Sequence, residues 1–520
     1  MPQADVSQAF VLPDWLNADL LASMRRGIEK EGLRMRPDGF IAQSPHPTRL
    51  GSKLTHPHIT TDYAESLLEL ITEPLASVQQ TLAQLRELHI VVQQALENDE
   101  LFWGMSMPCM LADSDDDILL ADYGSSNSGR LKTLYRHGLG LRYGRRMQTI
   151  AGLHYNLSFG DDFFGTWQAA EGHHDALSAF KNAKYLALVR NFKRLLPLVL
   201  YLTGASPAVC ACFLTGRQHH LQPLNDKGYY LPNATSLRMG KLGYQNNVQD
   251  DLDIRYNRLD EYVAGLQQAV GTPHKGFTAL GIDTSDGTPT QINDHILQIE
   301  NEYYSAIRPK QTTQGDETPS EALAARGVGY IELRALDLDP YSEIGISIDT
   351  ACFMEILALY CLLSDSPELL SDEDARLSIN QERAVNAGRD PHVTILTPTG
   401  EVRLQDWLDG HLQAMLPVAT LLDETYGSNT YRHALTVMLG RCHHAELTPS
   451  AQVLHDTVQA GGTWQFGKKL AEQHAHSLRA QSLGARAAYY ATLAEQSISD
   501  QQTLESNDTL SFTDYIARFR

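Results

Sequence analysis

The sequence predicts an α+β protein with an antiparallel sheet in residues 1–350 and a helical region, residues 351–520, packed on or beside it. Three observations carry this. Up to about residue 346, short stretches of alternating apolar and polar residues are interleaved with longer helical ones. Beyond Ile348 the apolar residues recur almost throughout at three- and four-residue spacing. No internal repeat and no low-complexity linker divides the chain into separate halves.

In chain order, the first informative stretch is Gly27-Ile-Glu29-Lys-Glu31-Gly-Leu-Arg34-Met. Glu29 and Glu31 are two apart, so in a strand they share a face. Adjacent like charges repel, which a purely structural strand avoids. A divalent cation between them removes that objection; a solvent-exposed strand face is the alternative. In residues 60–72, an extended segment from Ser66 turns Glu69 away from Leu68 and Leu70, and Asp62 precedes it at a turn. Here too solvated carboxylates are the alternative.

Residues 78–97 and 176–201 are predicted helices. Between them, residues 150–159 alternate cleanly. Ala151, Leu153, Tyr155, Leu157 and Phe159 form one face, and Gly152, His154, Asn156 and Ser158 the other. One face packs on a core while the other presents an imidazole and an amide, where a solvated face would favour Lys, Glu and Thr. The longest uncharged stretch, residues 195–216, contains Pro197, Gly204, Ser206, Pro207 and Thr215. It reads as two buried segments around a turn rather than a membrane span.

Residues 297–310 end in Arg308-Pro-Lys310. In an acidic chain these two cations are natural phosphate partners, a surface loop being the default. In residues 329–340, Glu332 and Arg334 share one strand face and Ile331, Leu333 and Ala335 the other. That pairing serves as an ion pair or as a metal ligand beside a phosphate clamp. Further helices are predicted over 350–363, 404–425, 431–443 and 466–496. The polar tail after Ser497 is expected to fray, with Phe512, Tyr515 and Phe519 as the residues able to dock.

Composition narrows the function classes. With 42 basic and 63 acidic residues the formal charge is −21, which repels phosphate backbones and anionic lipid alike. No nucleic acid and no membrane is expected as a partner. Met1-Pro2-Gln3-Ala4-Asp5 lacks the basic region of a signal peptide. The six cysteines form no C-x-x-C, Cys210-Ala-Cys212 is expected in the core, and a reducing cytosol fits. A Walker loop, an H-E-x-x-H helix and a G-x-S-x-G elbow are all absent. Gly138-Leu-Gly140-Leu-Arg-Tyr-Gly144 has the wrong spacing for a dinucleotide loop, and His443-His444 and His474-Ala-His476 read as solvated.

The strands together present Glu, Asp, His, Asn and Arg on one sheet face. Hard oxygen ligands with one imidazole suit Mg²⁺ or Mn²⁺ better than Zn²⁺. Such ions with nearby arginines are what phosphoryl transfer from ATP requires, which points to an ATP-dependent enzyme without a Walker loop.

At these stretches the sequence resembles the glutamate–cysteine ligase (γ-glutamylcysteine synthetase) family, proteobacterial type. The matching segments are Gly27 through Arg34, Leu54-Thr-His-Pro-His-Ile-Thr-Thr-Asp62 on to Pro74, Met105-Ser-Met-Pro-Cys109, and Gly124-Ser-Ser-Asn-Ser-Gly-Arg-Leu-Lys-Thr-Leu-Tyr135-Arg136. They continue with Met147-Gln148 through Asn156, Ala234-Thr-Ser-Leu-Arg238 with Leu242-Gly-Tyr244, Leu297 through Lys310, and Tyr330 through Asp337.

The resemblance implies a glutamine-synthetase-like curved antiparallel sheet forming an active-site funnel in residues 1–350. ATP phosphorylates the γ-carboxylate of L-glutamate, and the amine of L-cysteine attacks the acyl phosphate. By the same resemblance Glu29, Glu31, Asp62, Glu69, His154 and Glu332 are metal ligands, and Arg334 faces the transferred phosphoryl group. Tyr135, Arg238, Tyr244 and Tyr304 form the cysteine pocket, with Gln148 and Asn156 as polar groups around the amino acids. A monomer inhibited by glutathione is implied as well. Gly32 and Ser305-Ala306 depart from the family's commoner wording, the latter beside the cysteine pocket. A related carboxylate–amine ligase with another acceptor, and a silent binding protein on the same fold, are the competing functions.

Overall fold

The computed structural model describes residues 10–243, 248–249, 252, 254–315 and 317–520. The first strand, β1 (Arg25–Met35), is flanked on one side by the hairpin of β2 (Ile59–Thr61) and β3 (Leu67–Ile71). The short β4 (Leu101–Phe102) pairs with the end of β1, and β5 (Leu153–Ser158) lies along its other side. Three small strands, β6 (Ala208–Cys210), β7 (Gln222–Asn225) and β8 (Gly228–Tyr230), form a side sheet. The chain then returns to the main sheet with β9 (Ile307–Lys310) and β10 (Tyr330–Leu336). The resulting order is β2-β3-β1-β5-β10-β9, antiparallel at every pairing. A separate hairpin joins β11 (Thr394–Thr397) and β12 (Gly400–Arg403).

Alternation in the strands determines what the sheet buries. Ile28 in β1, Tyr155 and Leu157 in β5, and Ile331 and Leu333 in β10 are buried. The helices Leu177–Thr203 and Ile348–Leu363 pack against each other, and the first also packs on β10. Ile348–Leu363 is apolar on nearly every side, as a fully buried helix must be. Ser347 caps it, its Oγ accepting from the Thr350 N–H at 3.2 Å.

A buried acid, Glu355, interrupts the middle of that apolar helix. Glu355 accepts from Arg26 Nε at 2.6 Å, from the Tyr155 hydroxyl at 2.8 Å and from the Tyr431 hydroxyl at 2.6 Å. Arg26 in turn donates to the Tyr426 hydroxyl at 2.6 Å. The pair is wholly buried, so its charges are tolerable only because every one of these bonds is made. This knot ties β1 and β5 to the helices beyond residue 350.

Several expectations change. The predicted helix over 404–425 is two, Leu404–Ala414 and Leu416–Tyr426, because Pro417 opens the second. The stretch 466–496 likewise divides into Thr463–Arg479 and Arg486–Asn507. The tail does not fray: a short helix, Phe512–Ile516, follows, and Ile516 is buried. Cys210 is buried as expected, but Cys212 is only half-buried. Residues 195–216 do form two buried segments, a helix end and β6, joined through Gly204 and Pro207. Among the described residues no helix is long and apolar enough to cross a membrane.

Candidate active site

The register of the sheet brings the polar side chains together. Glu31 stands opposite Glu69 across β1 and β3, and Glu29 stands opposite His154 across β1 and β5. Glu332 on β10 faces Asn156 on one side and Arg308 on the other. His154 Nδ1 lies 3.2 Å from Glu29 Oε2 and 3.8 Å from Glu332 Oε1, while its Nε2 lies 3.8 Å from Glu31 Oε1. The Asn156 amide donates to Glu29 Oε1 at 2.8 Å, and the Gly152 N–H donates to Glu31 Oε2 at 2.6 Å.

Charge is unevenly matched across this cluster. Burial pushes the Glu69 carboxyl well up, reinforced by Glu29, Asp62 and Glu31. Burial and the Asp62 charge push Glu31 up to about 8. Burial pushes Glu29 up as well, but the hydrogen bond and charge of His154, with Lys310, hold it below the ordinary value. Burial and the Arg334 charge push His154 down. Glu332 is held well below the carboxylate range, because Lys310, Arg334, His154 and Arg308 outweigh its burial. The carboxyls on the β1–β3 side therefore lack compensating cations, whereas Glu332 on the β10 side has them.

Ligand atoms of Glu29, Glu69 and His154 lie within 4.8 Å of one another. Hard oxygens with one neutral imidazole, in a zone of carboxyls that lack a counter-charge, fit a divalent cation of the Mg²⁺ or Mn²⁺ kind. Glu31 and Glu332 lie within reach of His154. Asp62, just past β2, raises both Glu31 and Glu69 electrostatically, while its carbonyl accepts from Arg136 and, at 3.1 Å, from Tyr123.

The cationic wall is on the other side. Arg334 NH1 lies 3.2 Å from Glu332 Oε2, and Lys310 Nζ lies 3.8 Å from Glu332 Oε1. Arg308 and Lys310 lie on edge strand β9 rather than in a surface loop, and Arg308 is buried. Its Nε meets no acceptor among the described residues.

The remaining predicted residues that are described lie beside this cluster. Gln148 donates to the Tyr304 hydroxyl at 3.3 Å. Tyr135 is half-buried on the helix Asn127–Tyr143. Arg238 donates to the Arg334 carbonyl at 2.9 Å and lies 3.6 Å from Asp337. Tyr244 lies outside the described residues.

Two contributors went unassigned in the sequence. A Cβ on Gly152 would lie 2.2 Å from Arg238 NH2, so only glycine admits the guanidinium there. Asp337 accepts from the Ala205 N–H at 2.8 Å and from the hydroxyls of Ser206 and Ser236 at 2.7 and 2.9 Å. It thereby fixes the segment that carries Arg238. Remote from this site, Asp409, Cys442 and His443 form a second group whose ligand atoms lie within 4.8 Å of one another.

The family model for glutamate–cysteine ligase matches residues 11–384. The chain belongs to the glutamate–cysteine ligase family. It is 45% identical over 513 residues to the glutamate–cysteine ligase of Alcanivorax borkumensis, covering 97% of each chain. To that of Azotobacter vinelandii it is 44% identical over 510 residues, covering 97% of this chain and 96% of the relative. Among solved structures, the Francisella tularensis glutamate–cysteine ligase in complex with AMP superposes with a TM-score of 0.90 at 36% identity. The match covers 96% of this chain and 97% of that one. A bifunctional glutathione synthetase from Pasteurella multocida shares the fold, with a TM-score of 0.68 at 22% identity, and 56% of its length is covered. Family membership therefore extends through the helical C-terminal third, beyond the stretches that carry the sequence resemblance.

Proposed function

We infer that the protein joins the γ-carboxylate of L-glutamate to the amine of L-cysteine at the expense of ATP. The products are γ-glutamylcysteine, ADP and phosphate, the first step of glutathione biosynthesis. Family membership over nearly the whole chain carries this reading. The sheet face supports it, since it sets a carboxylate–imidazole cluster beside a cationic wall.

We propose the following roles. Glu29, Glu31, Asp62, Glu69, His154 and Glu332 hold Mg²⁺ or Mn²⁺, which when bound neutralises phosphate charge. Arg334, with Arg308 and Lys310, faces the phosphoryl group as it moves to the glutamate carboxylate, where preorganised cations lower the barrier most. Arg238 takes the α-carboxylate of cysteine as a bidentate partner. Tyr135, Tyr244, Tyr304 and Gln148 wall that amino acid in, and Asn156 orients Glu29 beside the glutamate. Residues 1–350 carry the chemistry and residues 351–520 buttress it. Monomeric action in the cytoplasm, and inhibition by glutathione occupying both amino-acid positions, belong to the same proposal.

The test is ADP release with Mg²⁺, ATP, L-glutamate and a panel of amines, with and without L-cysteine. Release that requires both glutamate and cysteine, with γ-glutamylcysteine as product, is the expected result. Turnover with another amine but not cysteine would move the error to the acceptor pocket. No turnover with any amine would overturn the reading.

A further inference from the structure

The far C-terminal segment does not join the main core. Ile516, Leu134 and Ile292 form a separate buried cluster, with Phe512, Tyr515, Phe519, Leu131, Ile299 and Tyr135 packed around it. Tyr135 also packs against the main core, so it is the joint between the two.

Polar contacts fasten the same segment at both ends. Asn127, at the start of the helix that carries Tyr135, donates its N–H to Asp508 Oδ2 and its amide to the Leu510 carbonyl at 3.0 Å. Arg130 on that helix stacks over the Phe512 ring at 4.0 Å. Beyond Ile516, the Phe519 carbonyl accepts from the Asn293 amide at 2.9 Å. Arg520 donates to both carboxylate oxygens of Asp283, at 3.1 and 2.6 Å, and to the Ile292 carbonyl at 3.3 Å.

From Ile292 the contacts lead to the rim of the site. Gln298 Oε1 accepts from the Ile292 N–H at 3.1 Å, and Gln298 Nε2 donates to the Tyr135 carbonyl at 3.2 Å. A Cβ on Gly138 would lie 2.1 Å from Gln298 Oε1, so that glycine admits the bridge. The Gln298 N–H donates to Glu302 Oε2 at 2.7 Å. Glu302 also accepts from Arg142 at 3.1 Å and from Tyr143 at 2.6 Å, both on the helix of Tyr135. Tyr304 follows two residues later.

We propose that residues 511–520 act as a positioning strap for the acceptor amino acid, holding Tyr135 and the segment leading to Tyr304 at their mutual spacing. The inference rests on reading those two tyrosines as walls of the cysteine pocket. On the proposed roles, the metal, phosphate and glutamate groups (Glu29, Glu69, Asn156 and Arg334) lie on the main sheet, and none of the strap contacts described above involves them. Ile516, Phe512 and Arg520 are therefore positioning residues with a selective effect on one substrate.

The experiment is steady-state kinetics on the full chain, comparing wild type with Ile516→Ala, Ile516→Val, Leu134→Ala and Arg520→Gln. Because misplacing a binding group by a fraction of an ångström weakens productive contacts steeply, Ile516→Ala should raise the cysteine KM on the order of tenfold. The KM values for glutamate and ATP should stay within about twofold, and Ile516→Val should restore the cysteine KM. Leu134→Ala should reproduce the selective rise from the other side of the cluster. Arg520→Gln, which leaves the cluster intact, should give a smaller rise and serves if Ile516→Ala does not fold. Parallel increases in all three KM values, or none, would overturn the strap alone. A wild-type chain that never uses cysteine would overturn the underlying reading and the strap with it.

Discussion

Glu31 on β1 and Glu69 on β3 are direct cross-strand partners, and both carboxyls are pushed above the ordinary value. Without a counter-charge between them, both carboxyls must hold protons that the unfolded chain gives up at lower pH, which costs stability at neutral pH. In the metal-free protein, Glu69→Gln should therefore raise Tm, while ligation activity falls on the order of 10²–10³-fold. Differential scanning fluorimetry with EDTA and with Mg²⁺, alongside turnover, checks both signs. Lower stability of the metal-free variant would show that the pair is not repulsive.

The same pair gives a pH dependence. Glu31 is raised to about 8, so its contribution to the stability of the metal-free protein is fully present below the unfolded value of roughly 4.3. It is lost as pH rises from there through about 8. Urea midpoints in EDTA should fall over that window for the wild type and fall less for Glu31→Gln. Saturating Mg²⁺ should flatten the wild-type slope.

His46 acts in the opposite direction. Neither of its ring nitrogens has a partner among the described residues, and burial with the Lys53 charge pushes it down to about 3. The unfolded chain therefore takes up the proton first. Stability is lost as pH falls from about 6.5 towards 3, at up to roughly 1.4 kcal/mol per pH unit for this group. His46→Leu should remove that slope in urea titrations between pH 7 and 4. An unchanged slope would exclude His46 as its source.

Glu355→Ala leaves Arg26 buried and unpaired, and loses the Tyr155 and Tyr431 bonds as well. Breaking a buried pair by removing one partner costs about 3–5 kcal/mol. A fall of that size in the unfolding free energy should accompany lower activity, because Tyr155 lies between His154 and Asn156 in β5. A loss below about 1 kcal/mol would mean that the knot is not a structural tie.

Arg238→Lys keeps the charge and loses the planar fork, so the cysteine KM should rise on the order of 10-fold or more with the ATP KM unchanged. Gly152→Ala should do the same by displacing the guanidinium. Equal changes for both substrates would place Arg238 outside the acceptor pocket.

How much of this was readable beforehand depends on the range of each interaction. The two-residue spacing of Glu29 and Glu31, and the alternation around His154 and Glu332, are local, and the register of β1, β5 and β10 confirms the shared face. Pro417 also marked a helix break locally, but the apolar periodicity ran through it. The docking of the tail had no local signal: Ile516 meets Leu134 and Ile292 only once the chain has folded back. Asp337 stood among the quoted residues without a role, because its partners Ala205, Ser206 and Ser236 lie far away in sequence. Glu355 falls within the apolar run of its helix, and nothing nearby in the sequence names Arg26 as its counterpart.

The Arg26–Glu355 knot also bears on the order in which the chain acquires structure. Its two charges are 329 residues apart, and the Tyr426 hydroxyl is 400 residues from Arg26. Until those late helices exist, a guanidinium on the central strand has no buried counter-ion and must stay hydrated, so the sheet cannot close over it. Closing so long a loop is entropically costly and slow. Compaction around the first strand is thus expected to come late, and an isolated N-terminal fragment is expected to hold its site-bearing sheet open to water.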